Sequence, residues 1–97
     1  MKRALVAIGV DKTGGLPILK AAADGANKIA TWACSQGFDS TLLTDKLAPV
    51  TLADVTASIY KMVNKRIYDQ LVVYFSGHGL LKGPNYEVWL LSGVPVN

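Results

Sequence analysis

The chain contains one histidine, and it stands in a segment whose composition favours a functional site. His78 lies between Gly77 and Gly79, directly after the apolar residues 71–75. Histidine is the usual general base near neutral pH, and neighbouring glycines let a backbone approach a substrate closely. The segment therefore predicts a catalytic or binding site, with a tight turn that carries a polar side chain as the alternative.

The sequence offers His78 no obvious nucleophile. Ser76 lacks the glycine that precedes the serine of a nucleophile elbow by two positions, because Tyr74 stands there, so a structural role is favoured. Cys34 is the only cysteine, and it falls on the flank of a helical apolar face, where a small buried hydrophobe is expected. His78 would then serve a nucleophile from a missing segment, or belong to a protein that has lost its activity.

Metal and nucleotide sites are not predicted. Gly9 and Gly14 have the spacing of the first two P-loop glycines, but Gly15 and Leu16 stand where Lys and Ser or Thr are required. A single histidine and a single cysteine do not complete a structural zinc site. We predict neither a metal nor a cofactor.

The composition is that of one globular unit. The chain has 97 residues, of which 51% are hydrophobic and 18% are charged, with a net charge of +3. The basic residues are scattered, which does not favour a nucleic-acid partner. No apolar run approaches the roughly 20 residues of a membrane helix, and no internal disulfide can form. A soluble, cytoplasmic protein without a membrane partner is predicted.

Hydrophobic periodicity predicts six elements in the order βαβαββ. Gly37 is placed to cap the first helix, and Thr51 with Asp54 approximates a capping box before the second. The turn Gly83-Pro84-Asn85 separates the last two strands. The predicted strands cover residues 3–10, 41–43, 71–75 and 86–91, and the predicted helices cover residues 21–36 and 51–65.

This order predicts an α/β three-layer sandwich with a mostly parallel sheet. Right-handed crossovers favour the strand order 2-1-3-4 with helices on both faces. His78 would then lie near the switch point between the first and third strands, where ligands of open α/β sheets bind. The apolar fourth strand would form an edge that requires a neighbour.

The hexapeptide Tyr74-Phe75-Ser76-Gly77-His78-Gly79 resembles the histidine motif of caspase-like cysteine peptidases, and most of all that of the bacterial metacaspases, or orthocaspases. The rest of the chain supports the resemblance less specifically. The supporting segments are the leucine-containing residues 16–19, Asp24-Gly25-Ala26, Gly37-Phe38 and Thr41-Leu42-Leu43-Thr44-Asp45.

The resemblance implies roles for three residues of a thiol protease. His78 would be the catalytic histidine, the backbone N–H of Gly79 would contribute to an oxyanion hole, and Asp24 would line the pocket for a substrate Arg or Lys. The absence of arginine between Arg3 and Arg66 also favours the specificity for basic residues over the aspartate specificity of animal caspases. A helix N-cap is the alternative role of Asp24.

The resemblance also implies that the nucleophile lies elsewhere. In this family the cysteine follows the histidine by several tens of residues, so residues 1–97 would be the N-terminal portion of a peptidase domain, inactive without the cysteine-bearing segment. The expected partners are a polypeptide substrate and either that segment or a second chain at the fourth-strand edge. The alternatives are a non-catalytic caspase-like interaction module that pairs through its sheet edge and an unrelated flavodoxin-like binding domain.

Overall fold

The computed structural model describes residues 1–83 and 86–93. Within these residues lie five strands and two helices. In chain order they are β1 (Arg3–Gly9), α1 (Ala22–Ser35), β2 (Asp39–Thr44), α2 (Leu52–Asn64), β3 (Gln70–Ser76), β4 (Gly79–Gly83) and β5 (Tyr86–Trp89).

The first three strands form one parallel sheet in the order β2-β1-β3. Each crossover between them contains one helix, as parallel neighbours require. The predicted α/β class and the order of the first three strands are therefore confirmed.

β1 is the buried centre of this sheet, and its side chains alternate between two cores. Ala4, Val6 and Ile8 point to the α2 side, where Met62 is also buried. The odd-numbered residues, Leu5 and Ala7, contact the alanine face of α1. The two helices thus lie on opposite faces of the sheet, as the right-handed crossovers predicted.

Helix α1 packs closely on β1 because both surfaces are made of small residues. A Cβ added at Gly9 would lie 2.7 Å from both the Ala22 carbonyl oxygen and the Ala23 Cα. The helix ends at the predicted glycine, since Gly37 has a φ of 84° and the Phe38 N–H donates to the Ala33 carbonyl oxygen. This is a Schellman termination.

Helix α2 begins with the predicted capping box, in which the Thr51 side chain and the Asp54 side chain each accept a backbone N–H of the other residue. Its apolar stripe is only partly covered. Met62 is buried, but Leu52 is 70% exposed and Val63 is 53% exposed. Helical spacing places both residues on the same apolar stripe as Met62. The structure buries only part of this stripe, so the expectation that all of it packs against the sheet was wrong.

The prediction that the parallel sheet has a fourth strand was wrong. The strand at residues 86–89 is present as β5, but it pairs antiparallel with β4, which the sequence did not predict, in a separate two-stranded sheet. A short connection between these strands favours such a local hairpin over addition to the parallel sheet. Consequently β3 is an edge strand among the described residues, and the turn predicted at residues 83–85 lies partly outside them.

The hairpin is attached to the sheet by stacking and hydrogen bonds. The rings of Phe75 and Trp89 are stacked with their centroids 4.9 Å apart. Beyond β5, the Leu90 carbonyl oxygen accepts a hydrogen bond from the Thr13 hydroxyl at 3.3 Å. Thr13 is itself buried. The segment after β5 is therefore fixed against the loop that follows β1.

We expect Gly9→Ala to destabilise the protein by about 1–3 kcal/mol, because its methyl group would overlap the backbone of α1 and push the helix away from β1. The measurement is urea unfolding followed by circular dichroism. Gly25→Ala is the matched control. Its Cβ would lie 3.7 Å from the Tyr74 hydroxyl oxygen, an ordinary contact, and alanine is a better helix former than glycine by about 0.5–1 kcal/mol. Equal destabilisation by both variants would contradict the proposed close contact.

Candidate active site

The candidate site lies at the carboxyl edge of the parallel sheet. The strand register aligns Gly9 of β1 with Thr44 of β2 and with Ser76 of β3, so the three strands end at the same level. The loops that follow them meet there. This edge is where ligands of open α/β sheets bind.

His78 is separated from the end of β3 by one residue, and its ring contacts the loop after β1. The Nε2 atom is 2.7 Å from the Pro17 carbonyl oxygen. A carbonyl oxygen only accepts hydrogen bonds, so this contact requires the proton on Nε2 and leaves Nδ1 as the basic nitrogen of the neutral ring. The imidazole is thus held in one tautomer and remains partly exposed to solvent.

The backbone around His78 is fixed as well. The His78 carbonyl oxygen accepts a hydrogen bond from the Leu90 N–H at 3.0 Å. At Gly77, an added Cβ would lie 2.8 Å from the Phe75 ring and 3.1 Å from the Val10 carbonyl oxygen. A glycine is therefore favoured before the histidine, since a larger residue would require the Phe75 ring to shift.

Gly79 opens β4, and its register gives the direction of its N–H group. Gly79 is aligned with Trp89, while the hydrogen bond between the strands joins His78 to Leu90. In antiparallel pairing this pattern makes Gly79 and Trp89 a non-hydrogen-bonded pair, whose N–H groups point away from the partner strand. The Gly79 N–H thus points away from β5 and makes no hydrogen bond to that strand.

Asp24 lies in the first turn of α1 and forms an ion pair with Lys46, which follows β2. The Lys46 Nζ is 2.5 Å from the Asp24 Oδ1, and each side chain is 54% exposed. The hydrogen bond from Lys46, followed by its charge, lowers the pKa of the Asp24 carboxyl, and the charge of Lys28 acts in the same direction. The same partner raises the pKa of Lys46.

The sign of these pKa shifts sets where the ion pair contributes to folding. Because the pKa of Asp24 is lowered, its contribution is complete above the pKa of the unfolded carboxyl and is lost as the pH falls through the folded value. Because the pKa of Lys46 is raised, its contribution is complete below the pKa of the unfolded ammonium and is lost as the pH rises through the folded value. At neutral pH both groups are charged, and salt screens such an exposed pair.

Two further carboxylates of this edge have structural roles that sequence reasoning missed. Asp45 accepts hydrogen bonds from the N–H groups of Asp11 and Lys12, at 3.0 and 2.8 Å. Asp11 in turn accepts the Ala23 N–H at 2.9 Å and so caps α1. The alternative role of Asp24 as the N-cap is wrong, because Ala21 stands at the N-cap position and Asp24 lies in the first turn of the helix. The signal in the sequence was an acidic residue just after each of two parallel strands.

Cys34 lies at the opposite end of α1 from Asp24. It is exposed in the last turn of α1, so the expectation that it is buried was wrong. Ten residues of helix separate it from Asp24, which is about 15 Å along the helix axis. The structure therefore does not bring Cys34 and His78 together.

An open cavity of about 450 Å³ adjoins the ion pair on the β2 side of the edge. A smaller cavity, of about 160 Å³, lies near Tyr68 and Gln70, at the amino end of β3 and thus at the other end of this strand from His78. The larger cavity is lined by Lys12, Gly14, Asp45, Lys46, Leu47, Ala48, Pro49, Ser92 and Gly93.

Comparisons of the chain with protein-family models, with curated proteins and with solved structures find no match. Within residues 1–83 and 86–93, no helix combines the length and apolar character needed to cross a membrane. In the same part of the chain, no three side chains of His, Cys, Asp or Glu are grouped as metal ligands would be.

We expect His78 to carry its proton on Nε2 at a pH where the ring is neutral, because the Pro17 carbonyl oxygen accepts it. Long-range ¹H–¹⁵N correlation spectra of the labelled chain distinguish the two ring nitrogens directly. Unfolding in urea provides the control, since the tautomer preference imposed by Pro17 must disappear. A folded protein with the proton on Nδ1 would contradict the observed contact.

Proposed function

We propose that this chain is the histidine-bearing portion of a caspase- or metacaspase-like cysteine endopeptidase that cleaves after Arg or Lys. The observation that supports this best is the ring of His78, which is oriented by Pro17 with its Nδ1 left to exchange protons. The motif around it, Tyr74-Phe75-Ser76-Gly77-His78-Gly79, resembles the histidine motif of that family.

In the proposed reaction the nucleophile is a cysteine of a segment outside this sequence. Nδ1 of His78 accepts the thiol proton, and the thiolate attacks the carbonyl carbon of the scissile bond. As the C–N bond breaks, Nδ1 returns the proton to the leaving amine, and a thioester remains on the cysteine. Water then attacks the thioester carbonyl carbon while Nδ1 of His78 accepts its proton. The C–S bond breaks, the acid product leaves, and His78 returns the proton to the departing thiolate.

Two other residues would assist this reaction. The N–H of Gly79, which points away from β5, is suited to donate to the oxyanion that develops on the attacked carbonyl. The carboxylate of Asp24 would bind the basic side chain before the scissile bond, since a charged carboxylate at neutral pH favours a guanidinium or ammonium.

The test uses the protein purified from its source together with any chains that accompany it. We expect cleavage of fluorogenic peptides after Arg or Lys, inhibition by iodoacetamide, and a loss of kcat of at least about 10²-fold in His78→Ala, because general acid–base catalysis contributes that much. Cys34→Ser is the matched control and must leave activity unchanged. Activity that survives in His78→Ala, or that disappears in Cys34→Ser, would contradict the assignment.

A second function, a non-catalytic module that pairs through its sheet edge, is favoured by one observation. β3 is apolar, and no strand among the described residues pairs with its outer side. Such an edge favours the addition of another strand. The partner strand would join β3, rather than the fourth-strand edge that the sequence predicted.

Edge pairing predicts that Val72→Lys abolishes association of the chain with itself or with an accompanying chain, because a lysine on an edge strand opposes strand addition. Leu42→Lys is the matched control on β2, at the other edge. Val72 is 36% exposed and Leu42 is 39% exposed, and both lie on the α1 side of the sheet. Sedimentation equilibrium measures the result. A wild-type chain that stays monomeric at all concentrations and purifies alone would exclude this function.

A further inference from the structure

The three carboxylates at the carboxyl edge of the sheet differ in what holds them. Asp11 and Asp45 accept backbone N–H groups, so displacing them would open the loop after β1 or the start of α1. The partner of Asp24 is instead the ammonium at the end of the flexible side chain of Lys46. Asp24 is thus the one of these carboxylates that can exchange its partner without a change in the backbone.

The surroundings of Lys46 allow such an exchange. The residue lines the open cavity of about 450 Å³ beside the ion pair, which gives its side chain room to turn away from Asp24. More than half of each side chain is exposed, with a value of 54% for both. Ion pairs with this exposure contribute little to stability, so breaking this one requires little energy.

Building on the proposed function, we infer that Lys46 is an internal competitor for the basic side chain of the substrate. Its ammonium occupies the position on Asp24 that an incoming ammonium or guanidinium would take. A substrate must therefore displace Lys46, and its apparent association constant is the intrinsic one multiplied by the fraction of molecules in which Asp24 is unpaired. Arginine and lysine substrates lose affinity by the same factor, so Lys46 sets the affinity of the site and not its preference between them.

Salt and acid act on both of the interactions that compete for Asp24. Salt weakens the pair between Lys46 and Asp24, but it weakens the binding of a charged substrate in the same way. Acid protonates Asp24 and removes both interactions.

The experiment titrates the full ¹⁵N-labelled chain with N-acetyl-arginine amide and N-acetyl-lysine amide, with N-acetyl-citrulline amide as the uncharged control. We expect Lys46→Gln to bind both cationic probes about two- to five-fold more tightly than the wild type, the gain that corresponds to losing a weak exposed ion pair. Lys28→Gln is the matched variant, because Lys28 acts on Asp24 through its charge and not through a hydrogen bond. It should give a smaller gain.

Carboxyl-carbon NMR titration supplies a readout that needs no ligand. We expect the pKa of Asp24 to rise in Lys46→Gln and to rise less in Lys28→Gln, since the hydrogen bond from Lys46 is the largest cause of the lowered value. An unchanged pKa in Lys46→Gln would show that the pair does not persist in solution and would overturn the inference. Thermal unfolding confirms that each variant is folded.

The outcomes separate the two proposals. If Asp24→Asn abolishes binding of the cationic probes but Lys46→Gln gains no more than Lys28→Gln, the competitor role of Lys46 is overturned and the basic-residue site remains. If Asp24→Asn binds the probes as the wild type does, or if no variant binds them, the substrate role of Asp24 fails and the role of Lys46 fails with it.

Discussion

The close packing of α1 against β1 is the constraint on which the rest of the structure depends. β1 is covered on both faces and bonded on both sides, so every other element is positioned relative to it. The contact at Gly9 brings the start of α1 to the carboxyl end of β1. As a result Asp24, in the first turn of that helix, lies at the same edge of the sheet as the loops that carry Lys46 and His78.

Hydrogen bonds to side-chain carboxylates also hold the loop after β1 in place at the carboxyl edge of the sheet. Asp45 binds the loop after β1 to the end of β2, and Asp11 binds the same loop to α1. With both ends held, the loop presents the Pro17 carbonyl oxygen to the ring of His78. The orientation of the histidine therefore depends on residues with no chemical role of their own.

The parts of the fold that local pattern specifies were predictable from the sequence. Apolar runs located β1 and β3, helical periodicity located α1 and α2, and the caps at Gly37 and Thr51 are local signals that the structure confirms. The predictions that were wrong concern what each segment packs against or pairs with, such as the burial of Cys34 and the neighbour of the strand at residues 86–89. The sequence could not show that the strand at residues 86–89 pairs with residues 79–83, because a short apolar run is compatible with either neighbour. Likewise, Asp24 was recognisable as a candidate residue, but its pairing with Lys46 depends on the tertiary fold.

The contacts of His78 have a consequence for the order of folding. Its ring contacts a residue 61 positions earlier in the chain, and the hydrogen bond from Thr13 to Leu90 spans 77 positions. Contacts of such long range require large loops to close, and they form slowly compared with local structure. The pairing of β1 with β3 is equally long in range, since Gly9 is aligned with Ser76. The imidazole therefore acquires its orientation only when the central strands of the sheet have paired, and not from local structure. A protein organised in this way would complete its most reactive group together with the framework that controls it.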